Sequence, residues 1–157
     1  MNAAAASRAG AADPVASLRL AQWPEAEPLV MPLRVRVFVD EQGVPAEIEQ
    51  DELDPVSLHA IATDASGAVI GTGRLLPDGH VGRMAVDARC RGRGVGARVL
   101  LALLDEAARR GHRKAILHAQ LSAEGFYARY GFHRTGDVFL EAGIAHTVME
   151  RELSPPG

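Results

Sequence analysis

Arg91-Gly92-Arg93-Gly94-Val95-Gly96 lies between a segment that reads as a strand, His80–Asp87, and one that reads as a helix, Gly94–Arg109. Val95, Val99, Ala102, Leu103 and Glu106 recur at helical spacing, and Gly111 is placed to end that helix. A glycine turn that opens a helix leaves backbone N–H groups free. Glycine has no Cβ, so an anion can approach the main chain closely, and the helix dipole favours it there. The stretch therefore points to a phosphorylated small molecule as ligand. Arg83, Arg89, Arg91, Arg93 and Arg98 crowd around it and are expected to attract the phosphates, the alternative being a solvated start of a helix.

Three pyrophosphate sites use such a turn. A P-loop requires Lys-Ser/Thr after its last glycine, and here Gly96 is followed by Ala97 and Arg98. A dinucleotide fold finds a relaxed fingerprint in Gly92-x-Gly94-x-x-Ala97. It also requires an acidic residue at the end of the next strand, and Lys114–Gln120 ends His118-Ala119-Gln120. The third pattern is Arg/Gln-x-x-Gly-x-Gly/Ala, matched by Arg91, Gly94 and Gly96. Ahead of it stands Val81-Gly82-Arg83-Met84-Ala85-Val86. Beyond it stands Phe126-Tyr127-Ala128-Arg129-Tyr130-Gly131-Phe132.

In that order the three segments resemble the central strand, the coenzyme A pyrophosphate loop and the Phe-Tyr-x-x-x-Gly-Phe signature of the GNAT superfamily of N-acetyltransferases. A narrower resemblance, to the ElaA-like branch, rests on Val37-Phe38-Val39-Asp40-Glu41-Gln42, Glu49-Gln50-Asp51-Glu52-Leu53-Asp54 and His59. Ala119-Gln120 and Gly143-Ile144-Ala145-His146 fit it too. The match runs from Leu18 to Leu153. It implies an α/β (α+β) domain: one mixed, mostly antiparallel sheet of six to seven strands, flanked by about four helices and splayed between its two central strands.

The chain order is compatible with that fold. Leu18–Trp23 reads as a first strand, and Pro24 and Pro28 bracket a helix start. Leu29, Leu33 and Val37 suit one helix face, with Pro32 awkward among them. Glu41–Asp54 reads as a long ordered acidic loop. Ser57–Thr63 and Ala68–Leu76 form a hairpin, and Pro77-Asp78-Gly79 turns into His80–Asp87. Ser122 is placed to cap a helix through Tyr130, which Gly131 closes. Phe132–Arg134, Val138–Glu141 and Thr147–Leu153 end the sheet. The expected division is a disordered tail 1–16, a domain 17–153 and a short tail 154–157.

Bulk composition excludes several classes. A chain of 157 residues with 47% hydrophobic content is one globular domain. A net charge of −3 gives no general attraction to nucleic acid or anionic lipid. No apolar run reaches a membrane span, and Met1–Ala16 lacks the apolar core of a secretory signal, so a cytoplasmic location is expected. The lone Cys90 excludes an internal disulfide; a nucleophilic role would need a base partner that the sequence does not show. No metal is expected.

The resemblance implies acetyl-CoA as cosubstrate and an amine acceptor on a small molecule or peptide. It places main-chain groups of Met84, Ala85 and Val86 at the thioester, with Arg91, Gly92, Arg93, Gly94, Val95 and Gly96 around the diphosphate. Gln120 and Ser122 would lie along the pantetheine arm, and Tyr127 would be the acid that protonates the leaving thiolate. Glu41 is the weakly favoured general base among Glu41, Glu47, Asp51, Glu52, Asp54 and His59. Carboxylates there could select a cationic amine, or simply form a solvated loop. His59 and His118 read as structural strand histidines, and His146 has no assigned role. A non-catalytic acyl-CoA sensor would keep the same loop. The C-terminal strands could pair in a homodimer.

Overall fold

The computed structural model describes residues 13–154. In chain order the elements are β1 (Ser17–Gln22), α1 (Trp23–Arg34) with a π-helical continuation (Val35–Glu41), α2 (Ala46–Glu49), β2 (Leu58–Thr63), β3 (Val69–Leu75) and β4 (His80–Val86). There follow α3 (Val95–Arg109), β5 (Lys114–Gln120), α4 (Glu124–Arg129), β6 (His133–Arg134), β7 (Phe139–Glu141) and β8 (Ile144–Glu152). Most of the expected N-terminal tail, and residues 155–157, lie outside the described residues. Packing starts before Ser17: Val15 is buried, and the Ala16 N–H donates to the Thr63 carbonyl at 2.8 Å.

One sheet carries the strands in the order β1-β2-β3-β4-β5-β8-β6, with β7 also paired to β8. Among the described residues only β4 and β5 run parallel. The sheet has 8 strands, more than the six to seven expected, because the short β6 and β7 both pair with β8. On one face α1 packs Trp23, Ala26 and Val30 against Ile61, and Leu33 together with Val37 of the π-helical continuation against Ala85. On the other face Val99, Leu103 and Leu104 of α3 join Ile70, Leu75 and Leu117 in the main core, which also holds Tyr127 and Phe132. Each such buried aliphatic side chain contributes about 1.5–3 kcal/mol.

The α1 stripe differs from the expected one. Leu29 is 36% exposed, whereas Ala26, Val30, Leu33 and Val37 are buried. A helix turns every 3.6 residues, so a strict spacing of four drifts off the buried face. Pro28 and Pro32 both sit inside α1, and the helix widens to π geometry soon after. The expected loop Glu41–Asp54 contains α2. Ser122 does not cap α4. It lies in a 3₁₀ turn, Leu121–Ala123, and Ala123 occupies the N-cap with no side-chain bond.

The feature that positions the site is a gap in the sheet. β4 and β5 pair only at His80–Ile116 and Val81–Leu117 among the described residues. On its other side β4 is bulged: Thr72 faces Ala85 while Arg74 faces Gly82, so β4 carries an extra residue over that interval. Arg83, inside the bulge, has φ 49. That conformation is costly for a side chain with a Cβ, and such strain gathers at functional sites.

Candidate active site

The gap opens a cleft of about 1200 Å³, lined by Met84–Val86 on one wall and by Leu117, Gln120 and Tyr127 on the other. The glycine stretch forms one end. A 3₁₀ turn, Ala88–Cys90, is capped by Asp87, whose side chain accepts from the Arg89 N–H at 3.0 Å. Gly92 and Gly94 follow at φ 75 and 88, and Gly94 is the N-cap of α3. A Cβ on either would meet nothing within 4 Å. Their backbone conformation therefore explains the glycines, and both line the cleft. This is the local geometry in which a helix N-terminus accepts an anion.

The arginines around the loop are mostly engaged. Arg91 donates from Nε to the Val86 carbonyl at 3.0 Å and from Nη2 to Glu41 Oε1 at 2.7 Å. Arg89 pairs with Asp87, and Arg98 with Asp13. Arg93 is exposed and does not line the cleft. Arg83 leaves the loop altogether: the bulge turns it toward the acidic segment. Glu41, the favoured base, is likewise not among the cleft-lining residues, because it holds Arg91.

Tyr127 stands on α4 with 9% exposure, its ring edge-on to Phe126 and Phe132 at centroid distances of 5.0 and 5.9 Å. Burial pushes its phenol up to about 12. A phenol with that value stays protonated at neutral pH and can donate. Across the cleft, Gln120 Nε2 donates to Gln42 Oε1 at 2.8 Å, tying β5 to the end of the π segment. Ser122 lines the same cleft.

The acidic segment forms an ion network instead of a set of free carboxylates. Arg34, 0% exposed, donates to Glu49 Oε2 at 2.7 Å and to both Asp54 oxygens at 2.9 and 3.1 Å. Arg74 donates to Asp51 at 2.7 Å and Asp54 at 2.9 Å, and Arg83 to Asp51 at 3.1 Å and the Glu49 carbonyl at 2.9 Å. Burial alone would raise Asp51 and Asp54, yet both stay below their usual range. For Asp51 the Arg74 and Arg83 guanidiniums outweigh burial; for Asp54, Arg34 and Arg74 do. His59 sits beneath the network, 1% exposed, with Nε2 2.9 Å from the Asp54 carbonyl and its ring 4.7 Å from Trp23. Burial lowers its pKa and keeps it neutral. Glu47 and Glu52 are exposed and do not line the cleft. The six-residue candidate set for the base is thus dispersed: some members are paired, His59 is sealed in, and others face solvent.

Residues outside that set do line the cleft. His118 of β5 places Nδ1 2.8 Å from Glu141 Oε1, and His80 of β4 places Nδ1 2.9 Å from Asp78 Oδ1. The two imidazoles meet edge to face at 5.9 Å. His146 sets Nδ1 2.7 Å from the Ile144 carbonyl and stacks on Phe139. Glu141 is far from His118 in sequence, so no local pattern links them.

Comparison with known proteins agrees with the geometry. Residues 24–153 match the family model described as an acetyltransferase (GNAT) domain. The uncharacterized N-acetyltransferase YjcF of Bacillus subtilis is 40% identical over 124 residues, covering 76% of this chain and 88% of that protein. An acyl-CoA N-acyltransferase from Pseudomonas aeruginosa superposes with a TM-score of 0.77 at 30% identity, covering 86% of this chain and 98% of the other. Escherichia coli ElaA superposes with a TM-score of 0.78 at 25% identity, covering 87% and 99%. No helix among the described residues is long and apolar enough to cross a membrane.

Proposed function

The chain belongs to the GNAT acetyltransferase family, and on that premise we propose that it transfers the acetyl group of acetyl-CoA to a primary amine of a small molecule or peptide, by direct attack of the nitrogen on the thioester. The observation that carries this reading is the parting of β4 from β5 beyond Val81 and Leu117, which frees one edge of Met84–Val86 in the cleft that the loop glycines also line. Main-chain N–H groups there stabilise the oxyanion as the carbonyl carbon becomes tetrahedral; one such donor is worth about 3 kcal/mol in other enzymes. The amides of residues 92–96 and the α3 N-terminus take the diphosphate, supported by Arg91. Gln120 and Ser122 flank the pantetheine arm.

In the transfer the C–N bond forms, the C–S bond breaks, and the thiolate takes a proton from the Tyr127 hydroxyl. Glu41 has no part in the proton transfer in this reading; it orients Arg91. The acidic segment also gives no argument for a cationic acceptor, because Arg34, Arg74 and Arg83 neutralise Glu49, Asp51 and Asp54.

The test has two parts. Acetyl-CoA at 100 times its dissociation constant should stabilise the fold by about 2.7 kcal/mol in a thermal-shift assay, and NAD should not. A panel of polyamines, amino acids, aminoglycosides and peptide N-termini should then include an acceptor that releases thiol. No stabilisation by acetyl-CoA together with no thiol release would sink the proposal.

A further inference from the structure

We propose that His118, held by Glu141, is the general base that removes a proton from the acceptor ammonium. The inference rests on the acetyltransferase reading, which requires a neutral amine but leaves the group that produces it unnamed. The other candidates for that task are committed. Glu41 holds Arg91, Asp51 and Asp54 accept from arginines, and His59 is sealed beneath Asp54. His146 is buried, 6% exposed, with Nδ1 on the Ile144 carbonyl, and His80, paired with Asp78, stands where β4 and β5 are still joined, short of the gap.

His118 lies just past Leu117, the last residue of β5 paired with β4, and combines three properties. It lines the cleft, and it stands on β5, the strand that forms the wall opposite Met84–Val86. Its Nδ1 lies 2.8 Å from a carboxylate oxygen, which can only accept, so Nδ1 carries the hydrogen and Nε2 carries the lone pair. Among the described residues nothing hydrogen-bonds Nε2. Glu141 is kept at this distance by the tight β7–β8 turn, in which Ala142 and Gly143 both have positive φ, 51 and 77. Alanine is strained there, and the turn fixes Glu141 opposite Ile144.

The groups facing His118 are few. Glu141 and Phe139 approach from β7, and His80 from β4 with Asp78 behind it. His146 of β8 reaches this cluster through Phe139. The proton balance is simple. One ammonium proton moves to His118 Nε2 and on to solvent, and the neutral nitrogen attacks the thioester carbon. The nitrogen loses its second proton as the amide forms, matching in number the proton that Tyr127 gives to sulfur. Glu141 is a positioning residue: it holds the tautomer and touches no reacting atom.

Two measurements test this. Long-range proton–nitrogen NMR of the wild-type protein should show His118 as the Nδ1–H tautomer, and Glu141→Ala should turn it into a mixture. A wild-type Nε2–H tautomer overturns the proposal. In acetylation of spermidine, used as the probe amine, His118→Ala should lower turnover at neutral pH about 100-fold or more. The deficit should shrink as pH rises and solvent deprotonates the amine, and added imidazole should restore part of the rate. The acetyl-CoA thermal shift should be unchanged. Full activity in His118→Ala, or a loss that is the same at every pH and insensitive to imidazole, overturns the assignment. If the wild-type protein binds acetyl-CoA but leaves spermidine untouched, spermidine is not its acceptor, the kinetic comparison is made with an amine that the panel finds, and the tautomer measurement decides the role of His118.

Discussion

The two walls of the cleft treat polar groups in opposite ways. Beside the acidic segment, Arg34, Glu49, Asp51, Asp54, Arg74 and Arg83 satisfy one another almost completely; only Glu49 Oε1 and Arg74 Nε are buried without a partner among the described residues. Beside the glycine loop and α4, by contrast, Gly92, Gly94 and Gly96 line the cleft, and the Tyr127 phenol has no hydrogen-bond partner among the described residues. Full charges at the first wall have become scaffold, while neutral groups at the second remain available to a ligand. A dense cluster of ionisable residues is thus a poor guide to the reactive centre when its charges cancel within hydrogen-bond distance. Unused hydrogen-bonding capacity is the better guide.

This contrast can be broken most sharply at Tyr127. If its phenol is a proton donor and the ion network is scaffold, Tyr127→Phe lowers turnover by about 10²–10⁴-fold while acetyl-CoA affinity is kept, as read by steady-state kinetics and thermal shift. Turnover at the wild-type level would remove the phenol from the mechanism. The reverse signature belongs to Arg34. Arg34→Ala takes from buried Glu49 its 2.7 Å partner and leaves Asp54 with Arg74 alone, and should cost about 3–5 kcal/mol of stability in urea denaturation. A variant as stable as wild type would show that the network is not scaffold.

A smaller effect separates backbone from side chain at the loop. Gly94→Ala adds a Cβ that meets no neighbour, so its cost is the left-handed backbone alone, about 1–2 kcal/mol. It should weaken acetyl-CoA binding more than it slows transfer at saturation. The mildest test is acid. Asp51 and Asp54 have folded pKa values below their unfolded ones, so the stability they contribute is present above the unfolded value near 3.8 and is lost as pH falls below it. Denaturation midpoints should drop below about pH 4, and Asp54→Asn should flatten that slope even as it lowers stability overall.

Much of the fold was legible in the chain. The hairpin of β2 and β3, the β5 bounds Lys114–Gln120 and the stop of α3 shortly before Gly111 follow from local rules, because glycine conformations and hydrophobic periods act over a few residues. The pairing of both β6 and β7 with β8, the bulge at Arg83 and the exposure of Leu29 were not legible, since each depends on which strand or helix packs alongside. At the site, Gly92, Gly94, Gly96 and Tyr127 line the cleft. Glu41 does not, because Arg91 reaches it across a separation no periodicity encodes. The Glu141–His118 pair was missed for the same reason, and the positive-φ turn at Ala142-Gly143 was its sole local trace.

By itself the sequence determined the family, the glycine turn that opens α3 and the aromatic signature on α4, because these are properties of neighbouring residues and of their backbone angles. The tertiary structure alone decided which charges are spent and which groups remain free. Ion pairs and carboxylate–imidazole contacts form between residues brought within about 3 Å by sheet pairing, and that distance is fixed by strands and helices far apart in the chain.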